Sequence, residues 1–156
     1  MKAARLEIHL IPRPLWGQSL CRSLTRSKWA IIRRAVYKRA KYLCEACGDM
    51  PTEGSLCCHE EWTYDDKRHV VSLANLKAVC RDCSAVAHAG RTSIYAAEFD
   101  IIARLVQVNG WTRKQAELHE REAFALWRQR SRHEWQHDRS LEDRFRQAVR
   151  LSTRKQ

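Results

Sequence analysis

Residues 44–83 read CEACGDMPTEGSLCCHEEWTYDDKRHVVSLANLKAVCRDC, and this stretch decides the fold. It begins with one Cys-x-x-Cys knuckle and ends with a second, matching one. Two such pairs, about thirty residues apart, supply four thiolates at the spacing of a tetrahedral structural zinc site. We therefore predict that zinc binds to Cys44, Cys47, Cys80 and Cys83, and that the residues between the knuckles are held as a hairpin.

The segment between the knuckles has the pattern of two strands joined by a turn. Leu56–Thr63 reads as a strand, Tyr64–Lys67 as a turn and His69–Leu73 as the return strand. On either side of the knuckles the patterns are mostly helical. Alternating apolar residues at Leu6–Leu10 predict a short strand. Before the knuckles, a helix is expected from Ser27 to Leu43. After them, helices are expected at Ala85–Ala89 with a stop at Gly90, over 92–108, from the capping box of Thr112 and Gln115, and from Ser140.

These elements predict an α+β protein in three parts that form one compact unit. A zinc-stapled finger occupies residues 44–90, a basic strand and helix precede it in 1–43, and a basic helical region follows in 91–156. The chain of 156 residues, 44% of them hydrophobic, is long enough for one modest core.

Charge is distributed unevenly along the chain. Residues 1–43 contain eleven basic and one acidic residue (net +10), residues 44–90 contain four basic and eight acidic ones (net −4), and residues 104–156 contain thirteen basic and seven acidic ones (net +6). An acidic centre between basic arms is the pattern expected if the arms contact phosphates and the centre binds divalent cations. The alternative is that the arginine-rich faces are simply solvated helix surfaces.

The cysteine and hydropathy patterns favour a soluble, cytoplasmic protein. No apolar run approaches the roughly eighteen residues needed to span a bilayer, so we expect no membrane association. Seven cysteines, four of them in knuckles, suit metal-bound thiolates in a reducing compartment better than a set of disulfides.

The order of knuckle, histidine, asparagine and knuckle resembles the HNH nuclease family. The residues that carry this resemblance are Cys44, Cys47, His59, Asn75, Cys80 and Cys83. The stretches CEACG, CCHEEWTYDDKRHV and LKAVCRDC, followed by VNGWT, AFALW and RSRHEW, are similar to a group of small bacterial HNH-type proteins with a helical tail, over roughly residues 28–138. The resemblance implies a ββα-metal finger and metal-dependent cleavage of DNA.

The resemblance also implies roles for single residues. His59 stands where the family has its general base, and Asn75 stands where an amide ties down the hairpin and orients that histidine. The chain departs from the family at two ligands of the catalytic cation, with Cys58 in place of an aspartate and Ser84 in place of a histidine. Nearby substitutes are His88, one helical turn after Ser84, together with Glu60, Asp65, Asp66 and His69.

A site built from His59, His69 and His88 with a carboxylate such as Glu60 would bind Mn²⁺, Ni²⁺ or Zn²⁺ in preference to Mg²⁺. The competing interpretation is a zinc finger that binds nucleic acid without cutting it. In both, the backbone of DNA is contacted without sequence reading by Arg33, Arg34, Lys38 and Arg39. A protein or nucleoprotein partner is then expected to select the target.

Two further motifs have weaker interpretations. His133-Glu134-Trp135-Gln136-His137 matches the HExxH helix of metalloproteases, but its surroundings are arginine-rich and no accompanying sheet is predicted. The six tryptophans are suited to stacking on unpaired bases, although helical spacing favours packing for most of them: Trp16, Trp29, Trp62, Trp111, Trp127 and Trp135.

Overall fold

The computed structural model describes residues 5–153, in which seven helices accompany a three-stranded sheet. Strands β1 (Cys57–Asp65) and β2 (Val70–Val79) form an antiparallel hairpin, as the sequence predicted. A short third strand, β3 (Gln136–Asp138), pairs in parallel with the first residues of β2. The mixed α+β class is therefore confirmed.

The helices lie on both sides of the hairpin in the sequence. Each of the three longest begins or ends at a recognisable signal: Thr25 caps α2, Thr112 and Gln115 form a capping box on α6, and acidic residues occupy the first turn of α7. Their bounds are α1 Leu20–Ser23, α2 Arg26–Arg39, α3 Arg81–Ala87, α4 Ala89–Tyr95, α5 Ile101–Asn109, α6 Arg113–Arg130 and α7 Ser140–Thr153.

Two clusters of buried apolar side chains pack against β2. One includes Val79 and is completed by residues of the N-terminal segment, α3, α5 and α6. The other includes Leu76 and Ala78 and is completed by residues of α1, α2 and α7. Because the two basic regions supply much of both clusters, they are integral to the packing of the finger.

The strand predicted at Leu6–Leu10 is not observed. Leu6 and Ile8 are buried as alternation requires, but the backbone of this segment bonds to helices instead of to the sheet. Asn109 accepts from the Leu6 N–H at 3.0 Å and donates to the Leu6 carbonyl at 2.8 Å, and the His9 N–H donates to the carbonyl of Ala87 at 3.0 Å. The segment thus lies across the ends of α3 and α5.

The helix predicted over 92–108 is in fact two helices, α4 and α5. Asp100 interrupts the periodicity because its carboxylate accepts the backbone N–H of Ala103 at 2.8 Å, which makes it an N-cap. Gly90, predicted as a helix stop, lies inside α4. A side chain there would meet the Leu10 methyl group at 3.3 Å, so glycine permits the close approach of the N-terminal segment.

Candidate metal centre and histidine cluster

The four knuckle cysteines converge on one point. Their Sγ atoms all lie within 4.8 Å of one another, and those of Cys47 and Cys80 are 3.9 Å apart. Four sulfurs about 2.3 Å from a tetrahedral zinc ion are about 3.8 Å apart, so the spacing fits such an ion. Among residues 5–153 this is the one group of three or more candidate ligands that lie so close together.

The local backbone explains why the sulfurs converge. In each knuckle the N–H of the second cysteine points at the sulfur of the first, at 3.5 Å for Cys47 to Cys44 and 3.5 Å for Cys83 to Cys80. Gly48, at φ 85°, reverses the chain after the first knuckle, where few other residues are tolerated. Cys80 is the N-cap of α3, so the second knuckle is the start of a helix.

The thiols need a cation to ionise together. Burial raises the pKa of Cys47 to about 12, and the hydrogen bond with Cys44 raises the pKa of Cys83, whereas that same bond lowers the pKa of Cys44 to about 4. One thiolate is therefore favoured while its neighbours stay protonated. A divalent ion removes this conflict because it offsets the repulsion between thiolates, and the donor set suits zinc.

Arg104, on α5, extends this centre. Its guanidinium donates to Cys80 Sγ at 3.5 Å and to Cys83 Sγ at 3.4 Å, and it lies 3.6 Å from the carboxylate of Asp49. A buried cation beside four thiolates reduces their net negative charge. No sequence signal identifies this residue, because Arg104 lies between apolar positions of an otherwise ordinary helix.

Three histidines form a second cluster near the knuckle end of the hairpin. His59 on β1 is 6% exposed, and its ring contacts His88, the residue that ends α3, with centroids 5.1 Å apart. The sequence predicted this pair. The third member, His9, was missed; its Nδ1 lies 3.1 Å from His59 Nε2. The N-terminal segment brings His9 into place through the bond from its N–H to Ala87.

Burial favours the neutral form of two of these imidazoles. Burial, followed by the proximity of His88 and His9, lowers the pKa of His59 to about 3. His59 Nδ1 is buried and has no hydrogen-bond partner among residues 5–153. Desolvation and the neighbouring Arg91 also lower the pKa of His88, although part of that side chain is exposed.

The structure does not bring His69 to this cluster. His69, in the left-handed conformation at φ 50°, precedes the first residue of β2, whereas His59 pairs with Lys77 near the other end of the hairpin. The six residues from His59 to Asp65, which pairs with Val70, span about 20 Å of strand. His69 instead stacks on His133 with centroids 4.2 Å apart.

Glu60 and Asn75 also have other contacts. Glu60 points to the opposite face of β1 from His59, where its carboxylate accepts the N–H groups of Leu20 at 3.0 Å and Cys21 at 2.9 Å. It thereby caps α1, and burial raises its pKa. Asn75 donates to the carboxylate of Glu61, its partner on β1, at 3.3 Å, so its amide is bonded to a residue other than His59.

The two departures from the HNH pattern have different structural consequences. Cys58 packs in the cluster around Leu76, on the face of β1 that His59 does not occupy, and burial raises its pKa to about 12. It is therefore a core thiol. Ser84, within α3, is one turn before His88, whose N–H donates to its carbonyl at 3.0 Å. His88 and Ser84 thus lie one turn apart at the end of α3.

The HExxH motif is not helical. His133 and Glu134 follow the end of α6, and His137 lies in β3. His137 Nε2 is 2.8 Å from the fully buried carboxylate of Glu142, and His133 stacks on His69, so the two imidazoles have separate partners. The single helix with two histidines one turn apart that the HExxH metalloprotease motif requires is therefore not formed by residues 133–137.

The basic residues of α2 differ in their availability. Arg33, Arg34 and Lys38 are exposed, as a phosphate-binding surface requires. Arg39, however, donates to the Leu76 carbonyl at 2.6 Å and to Glu45 at 3.0 Å, so its guanidinium joins α2 to β2 and the first knuckle. Glu45 in turn accepts the N–H of Ala78 at 2.7 Å.

A cavity of about 1130 Å³ opens beside the histidine cluster. His9 and His88 line it, whereas His59 lies behind them and is not among the described lining residues. The lining includes three arginines and several aromatic side chains, and none of the described lining residues is acidic: Arg13, Arg22, Arg91, Trp16, Trp62, Tyr64, Tyr95, Phe124 and Trp127. No motif in the sequence groups these residues.

Comparisons of the chain with protein-family models, curated proteins and solved structures give no match. In residues 5–153, none of the helices combines the length and apolarity that a membrane span requires.

Proposed function

We propose that the protein is a metal-dependent endonuclease that cuts DNA phosphodiester bonds at the cluster of His9, His59 and His88. The observation that supports this most is the position of the cluster at the wall of a cavity whose mainly apolar and aromatic lining includes three arginines and, among the described residues, no acidic one. Phosphate is the ligand that such a lining attracts, and imidazole nitrogens are the donors that hydrolytic metal ions accept.

Two histidines of the cluster are suited to hold a metal ion. His59 Nε2 and His9 Nδ1 are hydrogen-bonded to each other at 3.1 Å, and a metal ion would replace the proton between them. Two nitrogens bound to one tetrahedral ion are about 3.3 Å apart, so these two side chains would hold the ion with little movement. A divalent ion bound there would acidify a water molecule and take up charge on the scissile phosphate.

His88 is the better candidate for the proton acceptor. It lines the cavity and is partly exposed, whereas His59 is buried behind it with a pKa of about 3. A general base works best when its pKa is close to the working pH and water can reach it. Zinc on the four cysteines has a structural role, because it fixes the start of α3 to the hairpin and thereby sets the positions of His88 and His59.

A second candidate function is a zinc-stapled module that binds nucleic acid without cutting it. The observations that favour it are the burial of His59 and the position of Cys58 on the far face of β1, which removes a carboxylate ligand from the site. Both candidates keep the basic cavity and the zinc centre, and they differ only in catalysis.

Nicking of supercoiled plasmid separates the two functions. Purified protein is incubated with Mg²⁺, Mn²⁺ or Ni²⁺ in turn, beside His88→Ala and His59→Ala, with circular dichroism to check folding. We expect the parent to nick the plasmid, with the highest activity in Mn²⁺ or Ni²⁺, and we expect the nicking activity of both variants to be lower by about 100-fold or more. Binding of the plasmid with no nicking under any of these ions would favour the non-cutting module.

A further inference from the structure

We propose that the cavity beside the histidine cluster binds an unpaired strand of DNA, with phosphates on Arg13, Arg22 and Arg91 and bases on Trp16 and Tyr95. This inference rests on the proposed function in one respect, since it names the form of nucleic acid that reaches His88. It concerns binding, however, and is tested separately from cleavage.

The three cavity arginines are not neutralised within the protein. No carboxylate of residues 5–153 forms an ion pair with Arg13, Arg22 or Arg91, and Arg13 instead lies over the ring of Trp127, 5.1 Å from its centroid. Some other guanidiniums of the chain are paired, such as those of Arg39 with Glu45 and of Arg130 with Asp66. Unpaired guanidiniums that share one concave surface are suited to a polyanion.

Exposed aromatic rings accompany these arginines. Trp16 is 62% exposed, and its indole N–H donates to the Ile11 carbonyl at 2.8 Å, so the ring is fixed at the surface. Tyr95, at the last position of α4, is 81% exposed. Large aromatic side chains left in water beside unpaired arginines match the binding surfaces of single-stranded nucleic acid, where bases stack on rings and the backbone follows positive charge.

The exposed rings favour single-stranded over double-stranded DNA as the ligand of the cavity. In a duplex the faces of the bases are already stacked on each other, so side chains reach only phosphates and base edges. Trp16 and Tyr95 can stack only on bases that are unpaired.

The position of the cavity links this binding to the chemistry. His9 and His88 belong to the same lining as Arg91, which follows His88 closely in the chain. A phosphate held by Arg91 would therefore lie near the cluster. The wall next to Arg91 is formed by Gly90, whose lack of a side chain admits Leu10 and keeps the N-terminal segment, with His9, against α4.

Fluorescence anisotropy of a labelled oligothymidine of about 12 nucleotides tests the inference, with the same strand annealed to oligoadenosine as the duplex. No divalent ion is added, so binding is measured without cutting. The variants are Trp16→Ala, Tyr95→Ala and Arg91→Gln. Their matched controls lie outside the cavity: Tyr42→Ala removes a ring that is 58% exposed, and Arg121→Gln removes an exposed guanidinium of α6.

We expect the parent to bind the single strand more tightly than the duplex. Loss of Trp16 or Tyr95 should weaken single-strand binding about 5- to 150-fold, and Arg91→Gln should reduce the slope of log affinity against log salt by about one phosphate contact. The two controls should bind as the parent does. Duplex binding as tight as single-strand binding, or cavity variants that bind like the controls, would overturn the inference.

The outcome is independent of nicking. If the cavity variants lose single-strand binding while the parent never nicks plasmid, the inference holds and the nuclease proposal fails. If the parent nicks plasmid and all variants bind equally, the nuclease proposal stands and the cavity is not the strand-binding site.

Discussion

The two ends of the β1–β2 hairpin carry similar side chains but are held in different ways. At the knuckle end, where Cys57 pairs with Val79, four cysteines surround one point and His59 is buried between other imidazoles. At the turn end, where Asp65 pairs with Val70, the hairpin is held by β3 and by a two-point ion pair between Asp66 and Arg130, at 2.7 Å for each oxygen.

One histidine at each end of the hairpin illustrates how the surroundings of the two ends differ. His59 and His69 belong to the same hairpin, and each contacts another imidazole. Only the first lies behind a basic cavity with one nitrogen buried and unpartnered among residues 5–153. The second is stacked on His133 near Asp66, whose carboxylate already pairs with Arg130. The surroundings of the rings, and not the residue type, distinguish a candidate site from a structural contact.

The largest effect, on zinc content and folding, is expected from substitution of a cysteine at the knuckle end. Cys44→Ser removes one of the four clustered sulfur ligands, and structural zinc stabilises small fingers by about 10–16 kcal/mol, so this variant should lose zinc and most of its folded structure. Elemental analysis should give one zinc per parent chain, and circular dichroism should report the unfolding. Cys21→Ser, at an exposed cysteine outside the centre, should keep both properties. Retention of zinc by Cys44→Ser would contradict the four-cysteine assignment.

A smaller effect, on plasmid nicking, is expected to distinguish a histidine of the knuckle end from one of the turn end. His9→Ala removes one of the two imidazoles proposed to hold the metal ion, and we expect plasmid nicking to fall about 100-fold or more, as for His59→Ala. His69→Ala should change nicking less than about twofold, because its ring contacts His133 and Trp135 at the turn end. The reverse result would favour the ligand set expected from the sequence.

The third prediction concerns the stability of the knuckle end. Glu45→Ala leaves the Ala78 N–H without its carboxylate acceptor and leaves Arg39 without its ion pair, so the free energy of unfolding should fall by about 1–3 kcal/mol. Urea unfolding of the zinc-loaded protein measures this change. Glu53→Ala, at an exposed acid before Gly54, is the matched control and should unfold as the parent does.

The smallest effect is expected at the turn end. Asp66→Asn weakens a partly exposed ion pair, so we expect a loss of about 1 kcal/mol or less at pH 7. The hydrogen bond from Arg130 lowers the pKa of Asp66 from its ordinary value of 3.8. The contribution is therefore complete above that ordinary value and disappears as the pH falls through the lower, folded one. Urea unfolding should give different midpoints for parent and variant at pH 6, and converging midpoints below pH 3.8.

Much of the fold could be predicted because its signals are local. The hairpin follows from strand patterns between two knuckles, and the start of α6 follows from a capping box. The helix stop predicted at Gly90 is wrong for a tertiary reason, because glycine there permits the close packing of Leu10. The strand β3 was not predicted, because its pairing with β2 is likewise a contact that no local pattern shows.

The candidate site could be predicted in part. The pair of His59 and His88 followed from the family resemblance and from helical spacing, and the cysteine cluster followed from knuckle spacing. His9 and Arg104 could not be found, because they lie about 50 residues and about 20 residues from the groups they contact and carry no motif. Glu60 was misplaced because adjacent strand residues point to opposite faces.

The sequence by itself determined the sulfur ligands, the hairpin between them and the helix that begins at Cys80, since each depends on residues near one another in the chain. Only the tertiary structure decided which imidazoles meet and which arginines stay unpaired. Those contacts arise when the N-terminal segment, α4 and α6 pack around the finger, and close packing across long sequence separations is set by the shapes of all the elements together.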